Sequence, residues 1–504
     1  MKTSATSHLK SFAAVLLIAG LLTACGKDDV MPPDKPDMMF YALSDNNQLM
    51  QFNAKSATTS TSSIAVTGLQ SGEKLLSIDF RPATGQLYGL GNSSRLYVIN
   101  QATGVARAIG SAAFTPAISG TMATIDFNPT VDRIRLVTNT GQNLRLNPET
   151  GTVAATDGPI NGVMNASITE VAYNTNVAGA ATTTLFNIDA TTDKLYKQDP
   201  PNNGTLVEVG ALNVDITGMA GFDISADNNR AIAALNVNGV TGLYGINLDN
   251  GSATFYDALP TGFNVTGLAI PTQPVAYAVD VDNNLLIFNP STNTAPVSKG
   301  ITGVQAGEKI VGIDMRPVNG QLYGLGSTGR LYTFNLSSGA AAMVGAVPLV
   351  ITGTDFGFDF NPTVDRIRII SNTGQNLRVN PNDGLIAATD LPLNPGTPAV
   401  TAAAYTNNFA GATTTVLFDM DTNTDRLLKQ DPPNNGTLVD VGPLGINATT
   451  MNGFDIGGTS GTAYAILTVG TSAAIYTINL QSGAAAKTVD FSKAVQGMAV
   501  GLGF

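Results

Sequence analysis

Two stretches of this chain, 39–270 and 275–504, are copies of one another, so whatever one folds into the other must fold into as well. Ile78-Asp-Phe-Arg-Pro-Ala-Thr-Gly-Gln-Leu-Tyr-Gly-Leu-Gly91 returns as Ile313-Asp-Met-Arg-Pro-Val-Asn-Gly-Gln-Leu-Tyr-Gly-Leu-Gly326. Lys197-Gln-Asp-Pro-Pro-Asn-Asn-Gly204 returns as Lys429-Gln-Asp-Pro-Pro-Asn-Asn-Gly436. A shorter period runs inside each copy. A strand-like run ending in Asn or Asp recurs ten times, from Leu49-Met-Gln-Phe-Asn53 and Leu96-Tyr-Val-Ile-Asn100 to Ile475-Tyr-Thr-Ile-Asn479, at spacings of 42 to 51 residues. Ten such units, each with room for about four short strands, predict an all-β chain of β-propeller blades. No window of helical period competes with them. With 53 Gly and 25 Pro, and with Asn, Thr and Asp at the polar positions, the composition suits tight turns.

One unit can be written out. Strand A is Leu76–Phe80, strand B Leu87–Leu90, strand C Arg95–Ile99 and strand D Val105–Ile109, with turns rich in Gly, Asn and Ser between them. The first unit begins at its strand B, Met39–Leu43, and the half ends on an unpartnered strand A, Thr266–Ile270. Pairing those two closes a ring and leaves no open edge. The second half does the same, from Val275 to Gln496–Val500. The central residue of strand A keeps a five-step pattern: Asp79, Asp126, Ala172, Asp223, Ala269, then Asp314, Asp359, Ala404, Asp455, Ala499. The expectation is two tandem five-bladed propellers, 39–270 and 271–504. The alternative is one ten-bladed ring, because the link from Ile270 to Ala276 is as short as an ordinary hairpin.

Phe127-Asn-Pro-Thr-Val-Asp-Arg-Ile-Arg135 followed by Asn139-Thr-Gly-Gln-Asn-Leu-Arg145, repeated at 360–378, resembles the bacterial domain of unknown function 4394. The resemblance covers both halves. It implies a secreted or surface repeat domain with no assigned activity and no catalytic residues to carry over.

The N-terminus reads as an address. Lys2 and Lys10 precede the apolar run Phe12–Leu22, too short to span a bilayer but right for a secretory signal. Leu22-Thr-Ala-Cys25 resembles a bacterial lipobox, which makes 1–24 a signal peptide and Cys25 the lipidated residue. Gly26-Lys-Asp-Asp29 resembles the signal that sends lipoproteins of the Bacteroidetes type to the cell surface. The stretch 25–38, with Pro32, Pro33 and Pro36, reads as a stiff tether. The expected location is the outer membrane, exposed at the surface.

His8 and Cys25 are the single histidine and cysteine, so the folded part is left without a Ser-His-Asp triad, a Cys-His pair or a His/Cys zinc site. A formal net charge of −11 offers no footprint for nucleic acid. Two loop groups are candidate ligand-binding residues: Glu73 and Lys74 with Asn139 and Gln142, and their copies Glu308 and Lys309 with Asn372 and Gln375. D–A and B–C loops share one face of a propeller, which brings these groups together as a polar patch. The bland alternative is that Asn-Thr-Gly-Gln is a turn bonding its own backbone. On the opposite face, Asp132 with Arg133 or Arg135 is either a recognition pair or a clamp between blades. The strand A aspartates suggest a cation ring, with calcium as the ion, or simple acceptors for a neighbouring blade's backbone. Asp280-Val-Asp-Asn-Asn284 mimics the start of a calcium loop but lacks its glutamate and reads as a turn.

No catalytic residues and no resident cofactor are assigned. The functional expectation is a lipid-anchored extracytoplasmic binding, adhesion or scaffold module taking a glycan or protein ligand. The alternative is a His-independent hydrolase of glycosidase or lactonase type, using carboxylates or a metal.

Overall fold

Each of the ten repeats forms a four-stranded antiparallel sheet, the arrangement of propeller blades, in a computed structural model that describes residues 34–218 and 220–504. The leader 1–24, Cys25 and the Lys-Asp-Asp stretch lie outside the described residues. We number the sheets 1 to 5 in the first half and 6 to 10 in the second, and letter their strands A to D. Sheet 2 is Leu75–Phe80, Leu87–Gly91, Arg95–Ile99 and Ala106–Ile109, within a residue of the boundaries the sequence suggests.

Burial follows from how the sheets stack. Strands A and B of sheet 2 are buried on both faces because each sheet packs between two neighbours, while two of the four residues of strand D are exposed. The repeated aromatics fill the gaps between sheets. Tyr88 of sheet 2 meets Phe127 of sheet 3 edge-on at 5.0 Å, and Tyr323 meets Phe360 in the same way at 5.2 Å.

The Asn that ends strand C is a turn-former. Asn100 Oδ1 accepts from the amides of Ala102 and Thr103, both at 3.0 Å, and the Asn100 carbonyl accepts from Gly104 N at 2.8 Å. Gly104 sits at φ 71°, and a Cβ there would run into the Ala65 carbonyl of sheet 1. The same Asn-to-Gly turn recurs at Asn147–Gly151, Asn335–Gly339 and Asn479–Gly483. Gly therefore serves both the turn and the close approach of the next sheet.

The ends of each half meet. Val265–Ala269 pairs with Met39–Ser44, so sheet 1 is built from both ends of the first half. Val495–Val500 pairs with Ala276–Asp280 in sheet 6. Strands A pack in a cycle within each half: Leu75–Phe80, Ala123–Asn128, Ile168–Tyr173, Gly221–Ile224, Val265–Ala269 and back to Leu75–Phe80. The second cycle runs through Ile310–Arg316, Phe356–Asn361, Val400–Tyr405, Asn452–Ile456 and Val495–Val500.

The halves join into one compact unit, Lys35–Phe504, through their A–B turns. Tyr277 Oη donates to the Ala83 carbonyl at 2.9 Å, and Gly503 N donates to the Thr84 carbonyl at 2.8 Å. Ala83 packs in one cluster with Val275, Tyr277 and Leu502. Because successive strands are antiparallel, the D–A and B–C loops lie at the other end of every sheet, away from these turns.

Candidate functional site

Apart from Lys74, the loop residues singled out in the sequence spend side-chain polar atoms on the surrounding loops and strands. Glu73 is buried, and its carboxylate accepts from the Ser93 amide and hydroxyl, the Tyr97 hydroxyl and the Gln70 amide. Glu308 accepts from Thr328 Oγ1 at 2.5 Å and Tyr332 Oη at 2.6 Å. Asn139 Oδ1 accepts from the amides of Thr121 and Met122, both at 3.2 Å. Gln142 spans its loop, accepting from Ser119 N at 3.0 Å and donating to the Ala117 carbonyl at 2.9 Å. Gln375 does the same with Thr352 N and the Val350 carbonyl. Asn372 accepts from Thr354 N and donates to Asp355 Oδ2 at 2.8 Å. Lys74 is exposed, and Lys309 Nζ donates to the Val281 carbonyl at 2.9 Å.

At the opposite end of the sheets the repeated Asp-Arg motif is a clamp between neighbours. Asp132 is held by Arg81 of the preceding sheet, Nε to Oδ1 at 2.9 Å and Nη2 to Oδ2 at 2.5 Å, and Glu149 joins the same guanidinium. Arg133 Nη1 donates to the Asp132 carbonyl. Arg135 turns inward and bonds Asn143, Asp157 and Asn202, which docks the Asp-Pro-Pro-Asn-Asn-Gly turn of the next sheet. Arg368 repeats this with Asn376, Asp390 and Asn434. Asp280 Oδ1 accepts from the amides of Asp282 and Asn284, so that segment is a turn.

The strand A aspartates gather into two triads, Asp79/Asp126/Asp223 and Asp314/Asp359/Asp455, each with carboxylate oxygens within 4.8 Å of one another. All six are buried. Each accepts from an amide one sheet on: Asp79 from Phe127, Asp126 from Tyr173, Asp223 from Ile270, and likewise in the second half. Loss of water, with mutual repulsion added, raises Asp79, Asp126, Asp314 and Asp359 well above the usual carboxylate range. Burial raises Asp223 and Asp455 to about 7. Three converging carboxylates are a donor set calcium accepts. Their burial and their backbone donors also suit carboxyl groups that share protons.

A cavity of about 200 Å³ opens at the D–A end of the second half. Every strand A of that half contributes one lining residue three positions before the aspartate-pattern residue: Val311, Phe356, Thr401, Asn452 and Gln496. Asp355, Thr354, Val281 and Met451 complete most of the wall. Asn452 is 3% exposed, and its amide nitrogen donates to Thr401 Oγ1 at 2.8 Å and toward the Thr449 and Thr450 carbonyls at 3.2 and 3.3 Å. Those acceptors fix the amide orientation and leave Oδ1 buried without a partner, as is Gln496 Oε1. Below, a narrow continuation is lined by Gly312, Ala402, Gly453 and Gly497. These residues are small because the inner strands nearly touch: a Cβ on Gly497 would stand 3.0 Å from Gly312 Cα.

The first half builds both levels differently. Its upper residues are Leu76, Ala123, Thr169, Ala220 and Thr266, and its next level carries Ser77, Thr124 and Glu170. Glu170 is buried, accepts from Thr124 Oγ1 at 3.1 Å, and is pushed well above the usual carboxylate range by loss of water. The signal for this site was in the sequence, as a five-step register displaced by three from the aspartates. It is a register in which the halves disagree, whereas the candidate loops are positions where they agree.

A larger cleft of about 400 Å³ lies between the halves, lined by Leu87, Val98, Phe409, Leu502 and the exposed Arg107. Its walls are mainly turns and outer strands. The smaller cavity is the stronger candidate because two of its lining residues, Asn452 and Gln496, keep buried acceptors without partners.

No curated protein matches the chain. Among solved structures it is similar to the extracellular domain of a putative one component system from B. thetaiotaomicron, at 9% identity, covering 92% of this chain and 73% of that one, with a TM-score of 0.27. The family described as Domain of unknown function (DUF4394) matches twice, over residues 48–269 and 284–499, and the chain therefore belongs to that family as two tandem copies.

Proposed function

We propose that each half is a five-bladed propeller and that the pair is a lipid-anchored, extracytoplasmic binding module whose ligand sits at the cavity of the second half. The self-contained cycle of strands A and the pairing of each half's own ends support two rings over one. The observation that carries the binding reading is the cavity walled by one residue from every strand A of that half, among them Asn452 and Gln496, whose buried amide oxygens have no partner. Leaving such an atom unpaired costs about 1–3 kcal/mol, a deficit that a ligand donor would remove once the amides shift to meet it. Binding suits this cavity better than hydrolysis. Glycoside cleavage needs two carboxyl groups flanking one bond. The charged residue in this lining is Asp355, already engaged by Thr354 Oγ1 at 2.7 Å and Asn372 Nδ2 at 2.8 Å.

The test is a glycan and small-molecule array probed with the purified chain, with the eluted ligands examined for chemical change. Retention of an unaltered ligand is expected. Turnover abolished by Asp355→Asn would replace the binding module with an enzyme.

A further inference from the structure

Resting on that reading, we infer that the cavity of the second half is a single-sugar subsite, and that the first half, though built on the same frame, does not share it. The recognition chemistry follows from the lining. Asn452 and Gln496 line the cavity on neighbouring strands A, each with a buried amide oxygen that has no partner, and Thr401, whose Oγ1 accepts from Asn452, lines it on the strand to the other side of Asn452. Among the described residues no Lys or Arg lines the cavity, so they offer an anionic group no counter-charge there. Asp355 brings a carboxylate to the rim, but its Oδ2 takes two hydrogen bonds from its own loops, which lowers its demand for a cation. The ligand is thus a neutral molecule rich in hydroxyl donors. Val281, Val311, Met451 and the ring of Phe356 give it apolar surface of the kind the C–H face of a pyranose covers. At about 200 Å³ the space is below the ~300–1,000 Å³ typical of drug-sized pockets, which fits one sugar ring rather than a chain.

Comparison of the halves carries the second part. Asn452 and Gln496 are replaced in the first half by Ala220 and Thr266, so neither amide acceptor is present. Ala402, which lines the narrow continuation, is replaced by Glu170, held in the interior by Thr124. The first half lacks the acceptors and fills the space beneath them.

The intact chain is titrated calorimetrically with D-glucose, D-galactose, D-mannose, L-fucose and N-acetyl-D-glucosamine, and with ethanolamine as a cationic probe. One sugar per chain is expected. Asn452→Ala and Gln496→Thr, which install the residues the first half already tolerates, should each weaken that binding about tenfold. Ala402→Glu, which installs the residue of the first half, is a separate route to the same loss. Unchanged circular dichroism and melting temperature show that the variants fold. Two sugars per chain, or full affinity in all three variants, would overturn the placement while leaving the binding module standing. Ethanolamine bound in preference to every sugar would overturn the ligand class. A chain that retains array ligands yet binds none of these sugars would overturn the sugar subsite alone, and a chain that retains nothing on the array would overturn the binding module with it.

Discussion

Asp223 and Asp455 are poised at about 7 because burial strips each of water. A group whose folded pKa lies above its unfolded value, about 3.9 for Asp, binds its proton more tightly in the folded state. Its stabilising contribution is complete below the unfolded pKa and is lost as pH rises through the folded one. The melting temperature should therefore fall between pH 5 and pH 8, and the Asp223→Asn/Asp455→Asn double variant should flatten that slope. Asp280, Asp390 and Asp440, held below the usual range with the help of their hydrogen-bond partners, act in the opposite sense, but only below about pH 4. A melting temperature that climbs from pH 5 to pH 8, or stoichiometric calcium binding at pH 5, would remove the picture of shared protons.

At the scale of the element, the clamp between sheets 2 and 3 shows how the two copies came to differ in weight. Arg81 is fully buried and holds both Asp132 and Glu149. Arg316 holds Asp365, whose side chain is 27% exposed, and Asn382 stands where Glu149 would be. Removing a partner from a buried ion pair costs about 3–5 kcal/mol, and that cost falls as water reaches the pair, as it does at the partly exposed Asp365. Arg81→Met should thus lower the urea midpoint well beyond Arg316→Met, and equal losses would contradict the difference in burial. The ten sheets were legible beforehand because a run ending in Asn or Asp closes strand C in each, and in sheets 2, 3, 5, 7, 8 and 10 a Gly four residues on completes the same turn. The cavity was not, because internal repetition displays what both halves need for folding. Glu73, Asn139 and Gln142 repeat since every copy must hold its loops. Asn452 and Gln496 do not repeat, and a comparison that rewards agreement passes over them.

At the scale of the whole molecule, two closed cycles joined by turns predict two cooperative units. Residues 39–270 and 271–504 expressed separately should each unfold cooperatively, at a lower temperature than in the intact chain, because separation exposes Ala83, Tyr277 and Leu502. Differential scanning calorimetry reads this directly, and halves that are insoluble while the intact chain is soluble would favour the single ten-bladed ring. The seam of the first half has a mechanical meaning as well. Met39–Ser44 is the first strand among the described residues, and it is hydrogen-bonded along both edges, to Val265–Ala269 on one side and Gln48–Asn53 on the other. The chain just before it is fastened too, Lys35 to Asp257 at 2.7 Å and Asn53 to Asp37 at 2.7 Å. With the proposed N-terminal anchor, drag on the molecule would be borne by those two ladders. In the anchored arrangement proposed above, the strand that closes the first cycle would also be the cleat to which the mooring line is tied.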